Sequence, residues 1–150
     1  MKIILAADGT KHGDAAAEAI KNFALSGTDS VHIVTVVDMA VPLGIDVYSG
    51  YLPDTTEIEK AAREHADKVI SSTVEKLKAE FANDPPAISS DVLFGSPDSR
   101  IVETAEELNA DLIVLGSHGY NRWERLLLGS VSDSVVHHAH CSVLIVRDAE

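Results

Sequence analysis

The sequence is poor in cysteine, in positive charge and in long apolar runs. Its 150 residues contain one cysteine, Cys141, which excludes an internal disulfide framework. Twelve lysines and arginines stand against 24 acidic residues, and the net charge of −12 argues against nucleic acid or an anionic membrane as the main partner. No apolar run reaches the roughly 18 residues that a membrane-spanning helix needs.

The amino-terminal residues Met1 to Asp8 have too short an apolar stretch for a secretory signal and are typical of a strand. Together with the single cysteine, this predicts a protein of the reducing cytoplasm. A length of 150 residues fits one domain that covers residues 1–150.

Apolar, β-rich runs alternate with helical patterns along the chain. The runs are Ile3–Ala7, Val31–Val37, Ile88–Phe94, Leu112–Leu115 and Val143–Val146. Five strands alternating with four helices predict an α/β fold, a doubly wound, five-stranded parallel sheet with helices on both faces. Right-handed crossovers then place a ligand crevice at the carboxyl edge, flanked by the ends of the first and fourth strands.

Two of the predicted helices have clear apolar faces. In the long second helix the apolar residues follow steps of three and four: Ile58, Ala62, Ala66, Val69, Ile70, Val74, Leu77 and Phe81. Ser96-Pro97 predicts the start of the third helix, as N-cap and first helical residue. Its inward-facing residues are expected to be Ile101, Val102, Ala105 and Leu108. A long, apolar connection from Met39 to Pro53 is either a cover of the crevice, a partner contact or a self-packed loop.

The fourth strand is followed by Gly116-Ser117-His118-Gly119 and, nine residues later, by Gly129-Ser130-Val131-Ser132 at a helix start. The free amides and positive end of a helix bind anions, and serine hydroxyls add donors. Glycines allow a backbone to approach a ligand closely. The spacing lacks the Lys-Ser or Lys-Thr of a P-loop and the three close glycines of a dinucleotide site. The segment favours phosphate binding over an ordinary flexible loop.

With these residues the chain resembles the universal stress protein family, in the subgroup that binds ATP, over essentially its whole length. The family signature Gly-x2-Gly-x9-Gly-Ser/Thr is matched by Gly116, Gly119, Gly129 and Ser130. Asp8 after the first strand and Asp38 after the second also fit. The resemblance implies a Rossmann-like fold of the adenine nucleotide alpha hydrolase type. Two segments depart from the family pattern: Ala6-Ala7 before Asp8, and His140-Cys141-Ser142 in place of Pro-Cys-Pro.

The resemblance also implies roles for individual residues. Ala7 and Asp8 would contact the adenosine part of ATP, and the backbone near Val36 the adenine edge. The ribose and first phosphates would be lined by Leu115, Gly116, His118 and Gly119. The outer phosphates would be held by Gly129, Ser130, Val131 and Ser132, with Mg²⁺ bridging them. The last strand, Cys141 to Arg147, would form an edge that pairs with its twin in a homodimer.

Several other polar residues have competing interpretations. A zinc site at His137, His138 and His140 is disfavoured, because adjacent helical histidines point apart, and these residues suit a helix C-terminus. Cys141 is expected to be buried and not catalytic. Trp123 is a loop anchor or an interface contact. Arg122 and Arg125 either offset phosphate charge or are solvated.

Three functions remain open from the sequence. The preferred one is an ATP-binding regulatory dimer that signals through nucleotide occupancy in a stress response. A slow ATP hydrolase is the second, with His118, Asp8 and Arg125 as conceivable helpers, although no convincing base is present. A nucleotide-free interaction module is the third, and the complete glycine signature argues against it.

Overall fold

The computed structural model of the chain describes residues 1–38, 55–81, 83–117 and 128–147. In these residues five strands alternate with four helices. In chain order they are β1 Lys2–Ala6, α1 Lys11–Ile20, β2 Ser30–Val37, α2 Thr55–Glu80, β3 Ala87–Phe94, α3 Pro97–Glu107, β4 Leu112–Gly116, α4 Ser130–His138 and β5 Ser142–Val146.

The strands form one parallel sheet in the order β3-β2-β1-β4-β5. Leu5 in β1 lies between Ile33 of β2 and Val114 of β4. The order therefore reverses between β1 and β4, and β5 lies at one edge. This arrangement confirms the predicted doubly wound α/β fold with four helices.

Alternate residues of the three inner strands enter two separate cores. Ile3 and Leu5 of β1 pack with α1 and α2, whereas Ile4 packs with α3 and α4. These three side chains are at most 1% exposed. Because successive side chains of a strand point to opposite faces, one apolar run of five residues supports both helical layers.

The first turns of α2 extend beyond the sheet. The helix has 26 residues and is about 39 Å long, whereas the eight residues of β2 span about 26 Å. Val69 and His65 lie against Gly9 at the carboxyl edge, so the residues before them project past it. Ile58 is 63% exposed, and its predicted place on the buried face is therefore wrong. The buried part of that face runs through Ala66 and Leu77.

The end of α3 also differs from the prediction. Leu108 was expected to face inward but is the C-cap residue and is 40% exposed. Asn109 has a φ of 49°, and the amide of Ala110 bonds the carbonyl of Ala105 at 2.9 Å. A left-handed residue directly after a helix reverses the chain and satisfies its last carbonyls. Leu108 is thereby turned out of the core.

Candidate functional site

A cavity of about 390 Å³ opens at the carboxyl edge of the sheet, where β1 and β4 diverge. This is the position where doubly wound sheets bind ligands. Predicted site residues that line it are Ala7, Asp8, Val36, Leu115, Gly116, Gly129, Ser130, Val131 and Ser132. The other two, His118 and Gly119, lie outside the described residues, as do Arg122, Trp123, Arg125 and the connection from Met39 to Pro53.

Six further residues line the cavity and were not found from the sequence: Ala6, Gly13, Val34, Asp38, Pro97 and Ile101. Some of them had a usable signal. Val34 lies two residues before Val36 and so shares its face of the strand. Pro97 and Ile101 belong to α3, whose position over the switch point follows only from the assembled sheet order.

The start of α4 is the part of the cavity best suited to bind an anion. Its N-cap is Gly129, which has no side chain to bond the helix amides. The first helical bond runs from the Asp133 amide to the Gly129 carbonyl, at 2.9 Å. The amides of Ser130, Val131 and Ser132 precede that bond, and they carry the positive end of the helix dipole. This end of α4 can hold a phosphate.

The Ser132 hydroxyl has a different environment from the one that the sequence suggested. It was expected to be a donor to an anion, beside the helix amides. In the structure Ser132 is 2% exposed, and its Oγ lies 3.0 Å from the Ser117 carbonyl oxygen and 2.9 Å from that of Gly129. A hydroxyl has one proton to donate, and both acceptors here are backbone carbonyls. The side chain therefore joins the start of α4 to the end of β4.

Gly116 is required by helix packing. The sequence suggested that it lets the backbone approach a ligand, but a Cβ there would lie 2.7 Å from the carbonyl carbon and oxygen of His12. These are backbone atoms in the first turn of α1, and they cannot rotate away. The glycine thus allows α1 to pack directly on the end of β4, beside the cavity.

Asp8 is oriented by the first turn of α1. Its Oδ1 accepts hydrogen bonds from the amide and the hydroxyl of Thr10, at 3.0 and 2.7 Å. Thr10 is the N-cap of α1, and its hydroxyl oxygen accepts from the Gly13 amide at 3.3 Å. A Cβ on Gly13 would lie 2.3 Å from Asp8 Oδ1. The carboxylate therefore occupies space that glycine leaves open.

The turn that carries Asp8 also depends on Gly9, which has a φ of +75°. Non-glycine residues rarely adopt this left-handed region. A Cβ at this position would in addition lie 2.8 Å from Val69 Cγ2 of α2. Conformation and packing both require glycine here.

The start of α3 differs chemically from that of α4. Ser96 is its N-cap residue, as predicted, but it makes no side-chain cap bond and donates to Asp98 at 2.5 Å. Pro97 follows and has no amide hydrogen. The hydroxyls of Ser134 and Ser96 donate to Asp98 and hold the pKa of its carboxyl below the usual value. A fixed negative charge therefore lies at this helix end.

The histidines at the end of α4 bond within their own helix. The Nδ1 atoms of His137 and His138 lie 2.8 Å from the carbonyl oxygens of Asp133 and Ser134. Among the described residues no group of three or more His, Cys, Asp or Glu side chains could hold a metal ion. Cys141 is half-buried, and burial raises the pKa of its thiol, so its neutral form is favoured. The described helices also include none that is long and apolar enough to cross a membrane.

Comparison with known proteins shows the family of the chain. The family model described as "Universal stress protein family" matches residues 1–147. A universal stress protein of Methanocaldococcus jannaschii is 34% identical over 146 residues, which cover 97% of this chain and 81% of that protein. A putative universal stress protein of Staphylococcus aureus is 32% identical over 149 residues, 99% of this chain and 84% of that one.

Solved structures with the same fold include universal stress protein UspA from Lactobacillus plantarum, with a TM-score of 0.78 and 23% identity over 98% of this chain and 97% of that one. A universal stress protein in complex with cAMP has a TM-score of 0.65 and 23% identity, with 98% and 96% of the two chains covered. A family protein from Arabidopsis thaliana with AMP bound gives 0.62 and 14%, with 99% and 92% covered. The chain belongs to the universal stress protein family.

Proposed function

We propose that the protein binds ATP in the cavity at the carboxyl edge and acts as a nucleotide-dependent regulator in a stress response. The observation that carries the proposal is the chemical polarity of the cavity. Val34, Val36, Pro97 and Ile101 supply apolar surface, and the uncapped start of α4 supplies amides. A nucleotide has the same division, with a flat base at one end and phosphates at the other.

Two relatives of the same fold support an adenine nucleotide as the ligand class. One is in complex with cAMP, and one has AMP bound. The step from a monophosphate to ATP rests on the three amides of Ser130, Val131 and Ser132, together with the glycine signature that the chain carries. The exposed hydroxyl of Ser130 is a further donor to a phosphate.

Charge favours Mg²⁺ as part of the ligand. The chain has a net charge of −12, and Asp8 and Asp38 line the cavity. Free ATP would meet repulsion from this field, which the amides of one helix offset in part. Mg²⁺ commonly binds through phosphate oxygens with few protein ligands, so we propose that it enters on the nucleotide.

We also propose a homodimer through the last strand, Cys141 to Arg147. In the described residues β5 pairs with β4 alone, and its other side carries unpaired backbone groups. Val143, Leu144, Ile145 and Val146 are half-buried. Pairing with a second β5 across a two-fold axis would satisfy this edge. Light scattering at micromolar concentration should give twice the mass of one chain, and the mass of a single chain would contradict the dimer.

Mass spectrometry of the small molecules released from the denatured, purified protein tests the nucleotide proposal. We expect about one ATP per chain in the purified protein. If the protein is first stripped of ligand, calorimetry should show much tighter binding of ATP with Mg²⁺ than of adenosine. Recovery of ADP would favour the slow hydrolase. A protein that is empty as purified and does not bind added ATP with Mg²⁺ would contradict the proposal.

A further inference from the structure

The carbonyl of Ser117 is a junction between β4, β5 and α4. Its oxygen accepts from the Gly129 amide at 2.8 Å and from the Ser132 hydroxyl at 3.0 Å. The Ser117 amide donates to the Val146 carbonyl at the end of β5, at 2.8 Å. Ser117 is 3% exposed. Residues 117 and 129 are therefore hydrogen-bonded neighbours at the end of the sheet, although they are 12 positions apart in the sequence.

Burial makes the Ser132 bond important for this junction. Ser132 is 2% exposed, so its hydroxyl cannot exchange a lost protein partner for bulk water. A buried polar group that loses its partner is destabilised by the full cost of its desolvation. The hydroxyl lies 3.0 Å from the Ser117 carbonyl oxygen and 2.9 Å from the Gly129 carbonyl oxygen. It fixes the relative position of those two residues.

We propose that Ser132 is a positioning residue of the nucleotide site and that its hydroxyl makes no contact with the phosphates. By sharing its one proton between the Ser117 and Gly129 carbonyls, the hydroxyl holds the amides of residues 130–132 at the rim of the cavity. The inference takes the identity of the ligand from the proposed function. The hydrogen bonds of the Ser132 hydroxyl, however, are present in the protein without a ligand. Amides that are already fixed in position bind an anion better, because less conformational freedom is lost on binding.

Two other serines of α4 serve as internal comparisons. Ser130 is exposed at the cavity and is free of both carbonyl contacts that Ser132 makes. Ser134 lies one turn further from Gly129, and its hydroxyl donates to Asp98 of α3 at 2.6 Å. A serine therefore occurs at three positions of α4, and its hydroxyl has different surroundings at each. Removing each in turn separates phosphate contact from positioning.

The test combines hydrogen exchange with calorimetry on the full chain. In ligand-free Ser132→Ala we expect the Gly129 amide to exchange at least 10-fold faster than in the wild type, because its partner carbonyl is held less firmly. The same variant should bind ATP with Mg²⁺ about 10-fold more weakly. Ser132→Thr keeps the hydroxyl and should restore the Gly129 exchange rate. Ser130→Ala should leave Gly129 exchange unchanged and weaken ATP binding alone.

The outcomes separate the role of Ser132 from the function of the site. Normal Gly129 exchange in Ser132→Ala would overturn the proposal, whether ATP binding falls, as for a direct phosphate contact, or stays unchanged. If that variant does not fold, Ser132→Cys has a similar volume and a weak donor, and the same exchange comparison applies. A wild type that does not bind ATP would contradict the proposed function, whereas Gly129 exchange still decides whether the hydroxyl holds the junction.

Discussion

The starts of α3 and α4 both lie at the cavity. Neither N-cap makes a side-chain cap bond and both first turns carry an aspartate, yet the residues directly after the N-cap differ. α3 begins with a proline, which has no amide hydrogen, and carries Asp98 with a lowered pKa in its first turn. α4 begins after Gly129, which makes no side-chain cap bond, and its first three amides precede the first helical bond. Two helices of similar dipole thus present opposite chemistry to one cavity.

The difference shows that local sequence decides which helix start can receive a phosphate. At α3 the residues next to the N-cap remove a donor and add a negative charge. At α1 the N-cap Thr10 accepts from Gly13, so a protein group already occupies part of that helix start. At α4 the described residues leave the amides to a ligand. Which helix start can receive an anion is therefore set by the cap residue together with the two residues that follow it.

The largest effect on ATP binding is expected when a negative charge is placed at the start of α4. Gly129→Asp places a carboxylate where it can cap the helix amides and repel phosphate, so ATP binding should weaken at least 100-fold. The free energy of unfolding should stay level or rise by a few tenths of a kcal/mol, because Asp is a better cap than Gly. Calorimetry and urea unfolding measure the two quantities.

The matched control for Gly129→Asp is Ser96→Asp, which adds the same charge at the N-cap of α3. Ser96 does not line the cavity, so ATP affinity should change less than about three-fold, as for a screened surface charge. Equal losses in the two variants would mean that overall charge, and not the α4 amides, governs binding.

A second, smaller effect concerns the packing of α1 on Gly116 and is a change in the free energy of unfolding. Gly116→Ala should lower the free energy of unfolding by about 1–3 kcal/mol, because the new Cβ would meet the His12 backbone at 2.7 Å. Gly27→Ala is the control. Its Cβ would meet Asp84 Oδ1 at 2.9 Å, and that carboxylate can rotate, so the loss should stay within about 1 kcal/mol. A stable Gly116→Ala protein with weak ATP binding would instead assign this glycine to the ligand.

The smallest effect is a change in the pKa of Asp98 in the first turn of α3. The Asp98 pKa is lowered in the folded protein, so its stabilising contribution is present above the unfolded pKa and is lost as pH falls through the folded one. Ser134→Ala removes the strongest cause and should raise the pKa of Asp98 toward its usual value. Carboxyl-carbon NMR against pH measures it. Ser130→Ala should leave the titration unchanged, and an unchanged Asp98 in Ser134→Ala would contradict the assigned cause.

The fold and the location of the cavity were predictable from the sequence because they follow from local patterns. Apolar runs of the right length gave the strands, and their alternation with helices required crossovers that meet at one switch point. The glycines and serines after β4 pointed to that same edge. These signals depend on neighbours in the chain and on general topology.

Contacts between distant segments were not predictable in the same way. The packing of Gly116 on His12 and the bond from Ser132 to Ser117 depend on how α1 and α4 sit on the finished sheet. Both residues were predicted as ligand contacts and both line the cavity, but nothing in the sequence indicated these additional packing roles. The predicted burial of Ile58 and Leu108 was wrong because apolar periodicity does not indicate where a helix extends beyond the sheet or where it ends.

The most direct test of the central claim follows backbone amide signals by ¹H–¹⁵N NMR during titration with ATP and Mg²⁺. We expect the Ser130, Val131 and Ser132 amides to shift with ATP and to shift much less with adenosine, while the Asp98 and Ser99 amides respond alike to both. Phosphate-dependent shifts at α3 with none at α4 would contradict the account.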